Sequence, residues 1–158
     1  MQDILGLEEE GFAAVDVGYM TSCRLLTTIF LTLVMYITGG QPARGPELGS
    51  IKFRNSKFSL RNFFVIWGRG CYCTEYHKAR ASTNFSYFVV RYLPDAVTTM
   101  ILLYIVYIRP FANMIYNQIS STKNTDDGNY LFCSDKSPHK CWNGRFYTYA
   151  FGKYVGLF

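Results

Sequence analysis

Residues 61–77 read RNFFVIWGRGCYCTEYH, and this stretch decides which class of fold the sequence predicts. Arg61–Trp67 and Cys71–His77 are rich in aromatic and β-branched side chains, which favour strands. Gly68-Arg69-Gly70 lies between them and is typical of the turn in a β-hairpin. Two neighbouring segments of similar composition are predicted as further strands of the same sheet, Ser50–Arg54 and Ser86–Tyr92.

Helices are predicted on both sides of this sheet. The first covers about residues 22–38, with a hydroxyl side chain available to cap its start, and Gly39-Gly40 can end it. A second, apolar helix covers residues 94–109, because proline suits its first turn. We expect Pro110 to kink or break that helix before a further helical segment over residues 111–121.

The remaining residues, 122–158, are predicted to continue the same domain as residues 1–121. Tyr130–Cys133 is a short strand candidate, Ser134–Cys141 is expected to be a loop, and Trp142–Val155 is expected to be a final helix. The predicted fold class is therefore α+β, mainly helical, with a small antiparallel sheet.

Charge is distributed unevenly along the 158 residues, whose formal net charge is +5. Residues 1–43 carry one cation and five acids, whereas residues 44–91 carry nine cations and two acids. The cations of the middle segment alternate with aromatic residues, a pattern typical of a surface that contacts nucleic acid. A solubilising surface on an apolar domain is the alternative explanation.

Residues 38–55 read TGGQPARGPELGSIKFRN and hold the first candidate for chemistry. This segment resembles the first active-site segment of tyrosine recombinases, in which a catalytic arginine follows Thr-Gly and precedes Glu-Leu. Arg44 stands at the arginine position, and Glu47 and Leu48 match the Glu-Leu pair. A guanidinium fork can hold a phosphate at two oxygens and stabilise the charge of its transition state.

Three later motifs occur in the same order as in one fungal family. They are RNFFV at 61–65, TEYHK at 74–78 and VRYLP at 90–94. Together with the arginine segment they resemble the tyrosine-recombinase-like domains of Crypton-type elements and the region ahead of the helicase core in telomere-linked RecQ-like helicases. The resemblance covers about residues 25–111 and implies the front half of a recombinase catalytic domain.

The resemblance implies a role for each matching residue. Arg44 and Lys78 would be remnants of the catalytic set, the lysine being placed to protonate the leaving oxygen, and Glu47 would give structural support. The expected partner is double-stranded DNA, contacted through its backbone. The further cations expected to bind the DNA are Lys57, Arg61, Arg80 and Arg91.

The second half of the catalytic set is not found in the sequence. His77–Arg80 formally satisfies the His-x-x-Arg box, but it follows Arg44 too soon and would lie on a hairpin instead of a helix. Without that box and its tyrosine nucleophile, no covalent DNA intermediate forms, so we expect a truncated domain that does not cleave strands alone. The alternative is a recombinase completed by a partner chain that supplies the missing residues.

Other chemistry is disfavoured. The five cysteines predict a reduced intracellular compartment, and the DNA role predicts the nucleus. Zinc is disfavoured because the cysteine and histidine spacings match no common finger, and neither a metal nor a cofactor is expected. The apolar runs 25–37 and 96–108 fall short of the ~18 residues of a membrane span, so membrane contact is not expected. A small membrane-associated protein remains the other alternative.

Overall fold

A computed structural model describes residues 3–40, 43–76, 87–119, 128–134, 137–142 and 144–155. Its helices are α1 (Asp3–Thr38), α2 (Gly45–Gly49), α3 (Asp95–Leu103), α4 (Arg109–Ile119) and α5 (Gly144–Val155), and a π-helical turn (Tyr104–Ile108) joins α3 to α4. Its strands are β1 (Phe63–Ile66), β2 (Arg69–Tyr76), β3 (Tyr87–Tyr92), β4 (Cys133–Ser134) and β5 (Ser137–Cys141). Helices thus flank small antiparallel sheets, and the α+β class predicted from the sequence is confirmed.

The main sheet has the strand order β1-β2-β3, and a two-residue turn at Trp67-Gly68 joins its first two strands. The turn therefore lies at residues 67–68 and not at the predicted residues 68–70, because Arg69 already pairs with Ile66. Trp67 and Gly68 have φ of 51° and 80°, the left-handed conformations of a type I′ turn. Glycine adopts this conformation freely, whereas in a bulky residue such as tryptophan it costs about 1–2 kcal/mol.

Two other expectations about strands were wrong. Ser50–Arg54 is not a strand: Lys52 makes only an isolated bridge to Tyr130, and its backbone N–H donates to the Asn62 side chain at 2.6 Å. The Asn62 side-chain oxygen thus accepts from the Lys52 N–H, which in a strand would donate to a neighbouring strand. Conversely, Ser134–Cys141 is not only a loop, since most of it forms β5, which pairs with β4.

The first helix is longer than predicted, since α1 begins at Asp3. Its last four turns bury Ile29 and Met35 in the core. Thr28 and Thr32 lie on the same buried side, and each hydroxyl donates to the carbonyl four residues earlier at 2.7 Å. These bonds satisfy polar groups that would otherwise be buried at a cost.

Of the two predicted effects of Pro110, a kink or a break in the second helix, the break does not occur, and the helix continues beyond the proline as predicted. The chain remains helical from Asp95 to Ile119 because the turn just before the proline widens to a π-helix, in which the Arg109 N–H donates to the Tyr104 carbonyl. A proline ring clashes with the carbonyl four residues earlier in a regular α-helix, and a widened turn relieves that clash. The segment Asp95–Ile115 is 21 residues long and 22% buried, and it is apolar enough to cross a membrane by length and composition.

Arg109 is the largest fully buried side chain among the described residues, with 0% exposure. Its guanidinium donates to the Tyr130 carbonyl at 2.7 Å and to Cys133 Sγ at 3.5 Å. The guanidinium also lies 4.7 Å from the centre of the Phe53 ring. Arg109 therefore joins α4 to the segment before β4 and to the loop after α2, which are far apart in sequence.

One hydrophobic core unites these elements. It draws on α1, α2, the inner face of the sheet, α3 and the C-terminal segment, and its larger members are Met35, Leu48, Phe63, Tyr72, Ile101, Tyr104, Phe132, Trp142, Tyr147 and Phe151. Trp142 lies between Phe132 and Phe146, with ring centres at 6.5 and 4.2 Å. The C-terminal segment therefore contributes core packing and not merely surface.

Replacing Arg109 with alanine is expected to lower the free energy of unfolding by about 3 kcal/mol, because a buried carbonyl loses its charged donor and a cavity forms. Arg145→Ala on α5, where the side chain is exposed, should change stability by less than about 0.5 kcal/mol. Urea unfolding of both variants measures the difference, and equal effects would show that the Arg109 contacts do not support the fold.

Candidate nucleic-acid interface

The exposed cations of residues 44–69 form the most basic part of the described chain. Six cations stand against one acid in this segment, and all of the cations except Lys52 are exposed. We call this set the basic surface, and its members are Arg44, Lys52, Arg54, Lys57, Arg61 and Arg69. Such an excess on one continuous segment gives a positive potential that attracts phosphate anions.

Side-chain hydrogen bonds hold the loop between α2 and β1, although it contains no regular structure. The Asn55 side chain accepts from the Arg61 backbone N–H at 2.8 Å, which closes the loop on itself. Ser56 and Ser59 bond to each other through hydroxyl and backbone groups, and the Lys52 ammonium donates to the Ser59 hydroxyl. The cations of this loop are therefore presented on a backbone with defined geometry.

Four cations of the basic surface lie over aromatic rings, and one of them is Arg54, whose guanidinium is 5.1 Å from the ring centre of its neighbour Phe53. The Lys52 ammonium is 4.7 Å from the Tyr130 ring centre, and the Arg61 guanidinium is 5.6 Å from that of Phe64. Lys57 lies 5.8 Å from the ring centre of its neighbour Phe58. These contacts orient the side chains while leaving most of each charged group in water, where it can meet an anion.

Arg44 lies at the start of α2, immediately before its first residue. Its backbone N–H donates to Glu47 Oε2 at 3.2 Å, which fixes the chain where the helix begins. The Arg44 side chain is exposed and borders a cavity of about 300 Å³ between α2 and α5. The residue predicted to grip a phosphate is therefore at the surface, on a backbone that Glu47 holds.

Arg91 does not lie on an exposed face, and its assignment as a DNA-binding residue is corrected. Its side chain is 6% exposed, and its guanidinium lies 3.8 Å from the Glu47 carboxylate, itself 13% exposed. It also donates to the Thr74 hydroxyl and lies 5.8 Å from the Tyr72 ring centre. A cation so enclosed between β2, β3 and α2 holds these elements together instead of meeting DNA.

Tyr72 lies in the same cluster and is fully buried. Its hydroxyl has no hydrogen-bond partner among the described residues, and burial raises its pKa, while Arg91 lowers it and Glu47 raises it further. A Cβ at Gly39 would approach the Tyr72 hydroxyl to 2.8 Å, so only glycine fits where α1 ends. The Thr-Gly motif therefore has a packing reason here, since the helix terminus presses against this ring.

Lys78 and Arg80, the other predicted contacts on the hairpin, lie outside the described residues, as does His77. Among the described residues, no group of three metal-ligating side chains lies close enough to hold an ion. Cys71 and Cys73 lie on the face of β2 that is turned away from Tyr72. Cys133 and Cys141 stand opposite each other on β4 and β5. Of the predicted site residues, Arg44, Lys57 and Arg61 are therefore exposed, and Glu47 holds the Arg44 backbone, whereas the position of Lys78 is not described.

Comparison with protein families and with solved structures adds nothing to this picture. No family model matches the chain, and no solved structure matches it. The arrangement of its own residues therefore carries the functional argument.

Tyr72→Phe is expected to reduce the loss of stability above pH 10. The raised pKa means that the folded state keeps the phenol proton while the unfolded chain releases it near its ordinary value of 10.0. The contribution of the protonated Tyr72 phenol to the free energy of unfolding is complete below pH 10. It is lost as the pH rises, by up to about 1.4 kcal/mol per pH unit.

Removing the unpartnered hydroxyl should also leave stability at pH 7 unchanged or slightly higher. Tyr149→Phe is the matched control, because Tyr149 is exposed on α5. Unfolding free energies measured at pH 7 and at pH 10–11 show whether Tyr72 causes the loss of stability at high pH. An identical pH dependence in the wild type and both variants would contradict the assignment of Tyr72.

Proposed function

We propose that the protein binds double-stranded DNA through the basic surface, by neutralising backbone phosphates. The observation that carries this proposal is the set of six cations against one acid over residues 44–69, held on a hydrogen-bonded loop and the start of α2. Each lysine or arginine that meets a phosphate releases a counterion, and this release supplies most of the sequence-independent affinity.

The contacts proposed here would position DNA without reading its sequence. Lys57 and Arg61 lie on a loop, so neither a helix nor a pair of strands among the described residues would carry these two side chains into a groove. Backbone contacts of this kind fix register and orientation, whereas base contacts in the major groove specify sequence. We therefore assign the surface general duplex affinity with strong salt dependence.

We propose further that this DNA-binding surface descends from a tyrosine recombinase and works in the nucleus. The α+β architecture is compatible with that origin, and Arg44 stands exposed where the arginine of the first active-site segment is expected. Lys78 would complete the remnant. Strand cleavage is not proposed for the chain alone, because its sequence offers no His-x-x-Arg box at a suitable position. A partner chain that supplies the box would restore cleavage.

A second candidate function is favoured by the exposure of the apolar helix Asp95–Ile115. Val106, Tyr107, Phe111 and Met114 each expose at least half of their surface, on or beside the π-helical turn. An apolar patch of this kind on a monomer marks an interaction site. The candidate function is attachment to a lipid surface through this helix face, with the basic surface meeting anionic headgroups.

Binding to a fluorescent 20-base-pair duplex, measured across a salt series, tests the DNA proposal. Lys57→Ala/Arg61→Ala should weaken binding on the order of tenfold and reduce the slope of log K against log salt by about two. Arg145→Ala/Lys153→Ala removes the same charge from α5 and should leave the slope nearly unchanged. Equal losses in the two variants would attribute binding to net charge, and a folded wild type that does not bind would refute the proposal.

Vesicle flotation tests the second candidate. The wild type should float with vesicles that contain phosphatidylserine, and Tyr107→Glu/Phe111→Glu should abolish flotation, because two charges would enter the apolar layer. Tyr149→Glu, an exposed position on α5, should float as the wild type does. A wild type that stays in the aqueous fraction would eliminate lipid attachment.

A further inference from the structure

One face of the three-stranded sheet packs against the core, whereas the side chains on its other face are exposed or half-buried, except that of Cys71, which is buried. The register places Phe63, Tyr72 and Arg91 side by side on the inner face, where all three are buried. The alternate residues point to the other side, which we call the outer face. Its members are Phe64, Ile66, Arg69, Cys71, Cys73, Glu75, Phe88, Val90 and Tyr92.

The outer face is rich in exposed rings. Phe88 and Tyr92 on β3 are 69% and 62% exposed, and Phe64 on β1 is half-buried under the Arg61 guanidinium. Phe64 and Tyr92 flank Cys71 in one cross-strand row, whereas Phe88 lies four residues from Tyr92 along the same strand. The rings are therefore spread over the two edge strands, β1 and β3, as separate flat surfaces.

Cations border these rings. Arg69 lies on the outer face beside Ile66, and Arg61 covers Phe64. Glu75, which pairs with Phe88, is the one acid that the register places on this face within the described strands. Rings bordered by cations complement a chain of bases linked by phosphates, since bases stack on the rings and phosphates meet the cations.

A groove continues the outer face toward α2. It has a volume of about 810 Å³ and lies between the strands and the loop after α2. Phe58, Phe64, Phe88 and Tyr130 supply rings to its wall. Its charged lining residues are the cations Lys52 and Arg61 and the acids Glu47 and Glu75. This volume falls in the range of about 300–1,000 Å³ that is usual for sites that enclose small ligands, so it has room for a nucleotide.

Trp67 provides a second, independent observation. It is 99% exposed at the tip of the β1–β2 hairpin, next to the outer face, and holds a left-handed backbone that its side chain disfavours. Asn-Gly would suit this turn better than Trp-Gly. A large ring kept in a strained and solvated position has no packing reason within the described chain, whereas an unpaired base could stack on it.

We infer that the outer face, with Trp67, is a binding site for single-stranded DNA, on which unpaired bases stack. The inference rests on the proposed function, because it assigns the DNA-binding protein a second form of DNA on an adjoining surface, which shares Lys52, Arg61 and Arg69 with the basic surface. Bases in a duplex stack on each other and cannot offer their faces to protein rings, so this site requires an unpaired strand. Duplex would meet the basic surface, and an adjoining unpaired strand would meet the outer face.

Fluorescence anisotropy with labelled dT12 and a labelled 12-base-pair duplex tests the inference on the full chain. Phe88→Ala/Tyr92→Ala should weaken dT12 binding by at least tenfold and change duplex binding by less than twofold, because each base that stacks on a ring contributes separately from phosphate contacts. The matched control is Tyr19→Ala/Tyr149→Ala, which removes two exposed rings elsewhere and should leave dT12 binding unchanged.

Trp67→Asn is the variant that cannot fail by loss of folding. It should raise the unfolding midpoint, since asparagine accepts the left-handed conformation, while weakening dT12 binding several-fold. If Trp67 had only a structural role, the substitution would change the unfolding midpoint and leave the affinity for dT12 unchanged. Stability and affinity that change in opposite directions support the inference.

The outcomes separate this inference from the proposed function. A chain that binds duplex but not dT12 overturns the outer-face site and leaves duplex binding intact, and a chain that binds neither overturns both. Equal losses of dT12 and duplex affinity in Phe88→Ala/Tyr92→Ala also overturn the separate site. Tighter binding of U12 than of dT12 would overturn the assignment to DNA in favour of RNA.

Discussion

The ion pair between Glu47 and Arg91 is the interaction on which the arrangement of the candidate site depends. It joins α2 to β3 inside the protein, and the same carboxylate holds the backbone of Arg44. Two charges removed from water cost several kcal/mol each unless further bonds satisfy them, and here the Thr74 hydroxyl supplies one such bond. The pair therefore tolerates little movement, and the start of α2 keeps one position relative to the sheet.

Arg109 plays the corresponding part at the opposite end of the core. It reaches the Tyr130 carbonyl and the Phe53 ring, so it fixes the loop that carries the basic surface from its far side. Arg91, through Glu47, and Arg109, through Phe53, thus hold two points of a segment whose cations, except Lys52, are exposed. Charge counted along the sequence treats all of these residues alike, whereas burial divides them into cations that support the fold and cations that can meet an anion.

The sequence predicted the α+β class, the hairpin and the final helix, because aromatic and β-branched runs and helical spacing are local signals. It misplaced the hairpin turn, since nothing local predicts tryptophan in a left-handed conformation. It also missed the π-helical turn through which the helix continues past Pro110. For the site, the exposure of Lys57 and Arg61 follows from their polar loop, but the burial of Arg91 depends on Glu47, a residue distant in sequence.

The central claim is that the Glu47–Arg91 pair fixes the framework of the site, and a double-mutant cycle on unfolding free energy tests it most directly. Glu47→Ala, Arg91→Ala and the double variant should give a coupling energy of about 1.5 kcal/mol or more. The exposed pair of Arg69 and Asp95, at 3.7 Å, is the matched control and should give less than about 0.5 kcal/mol. Equal coupling energies in the two cycles would contradict the account.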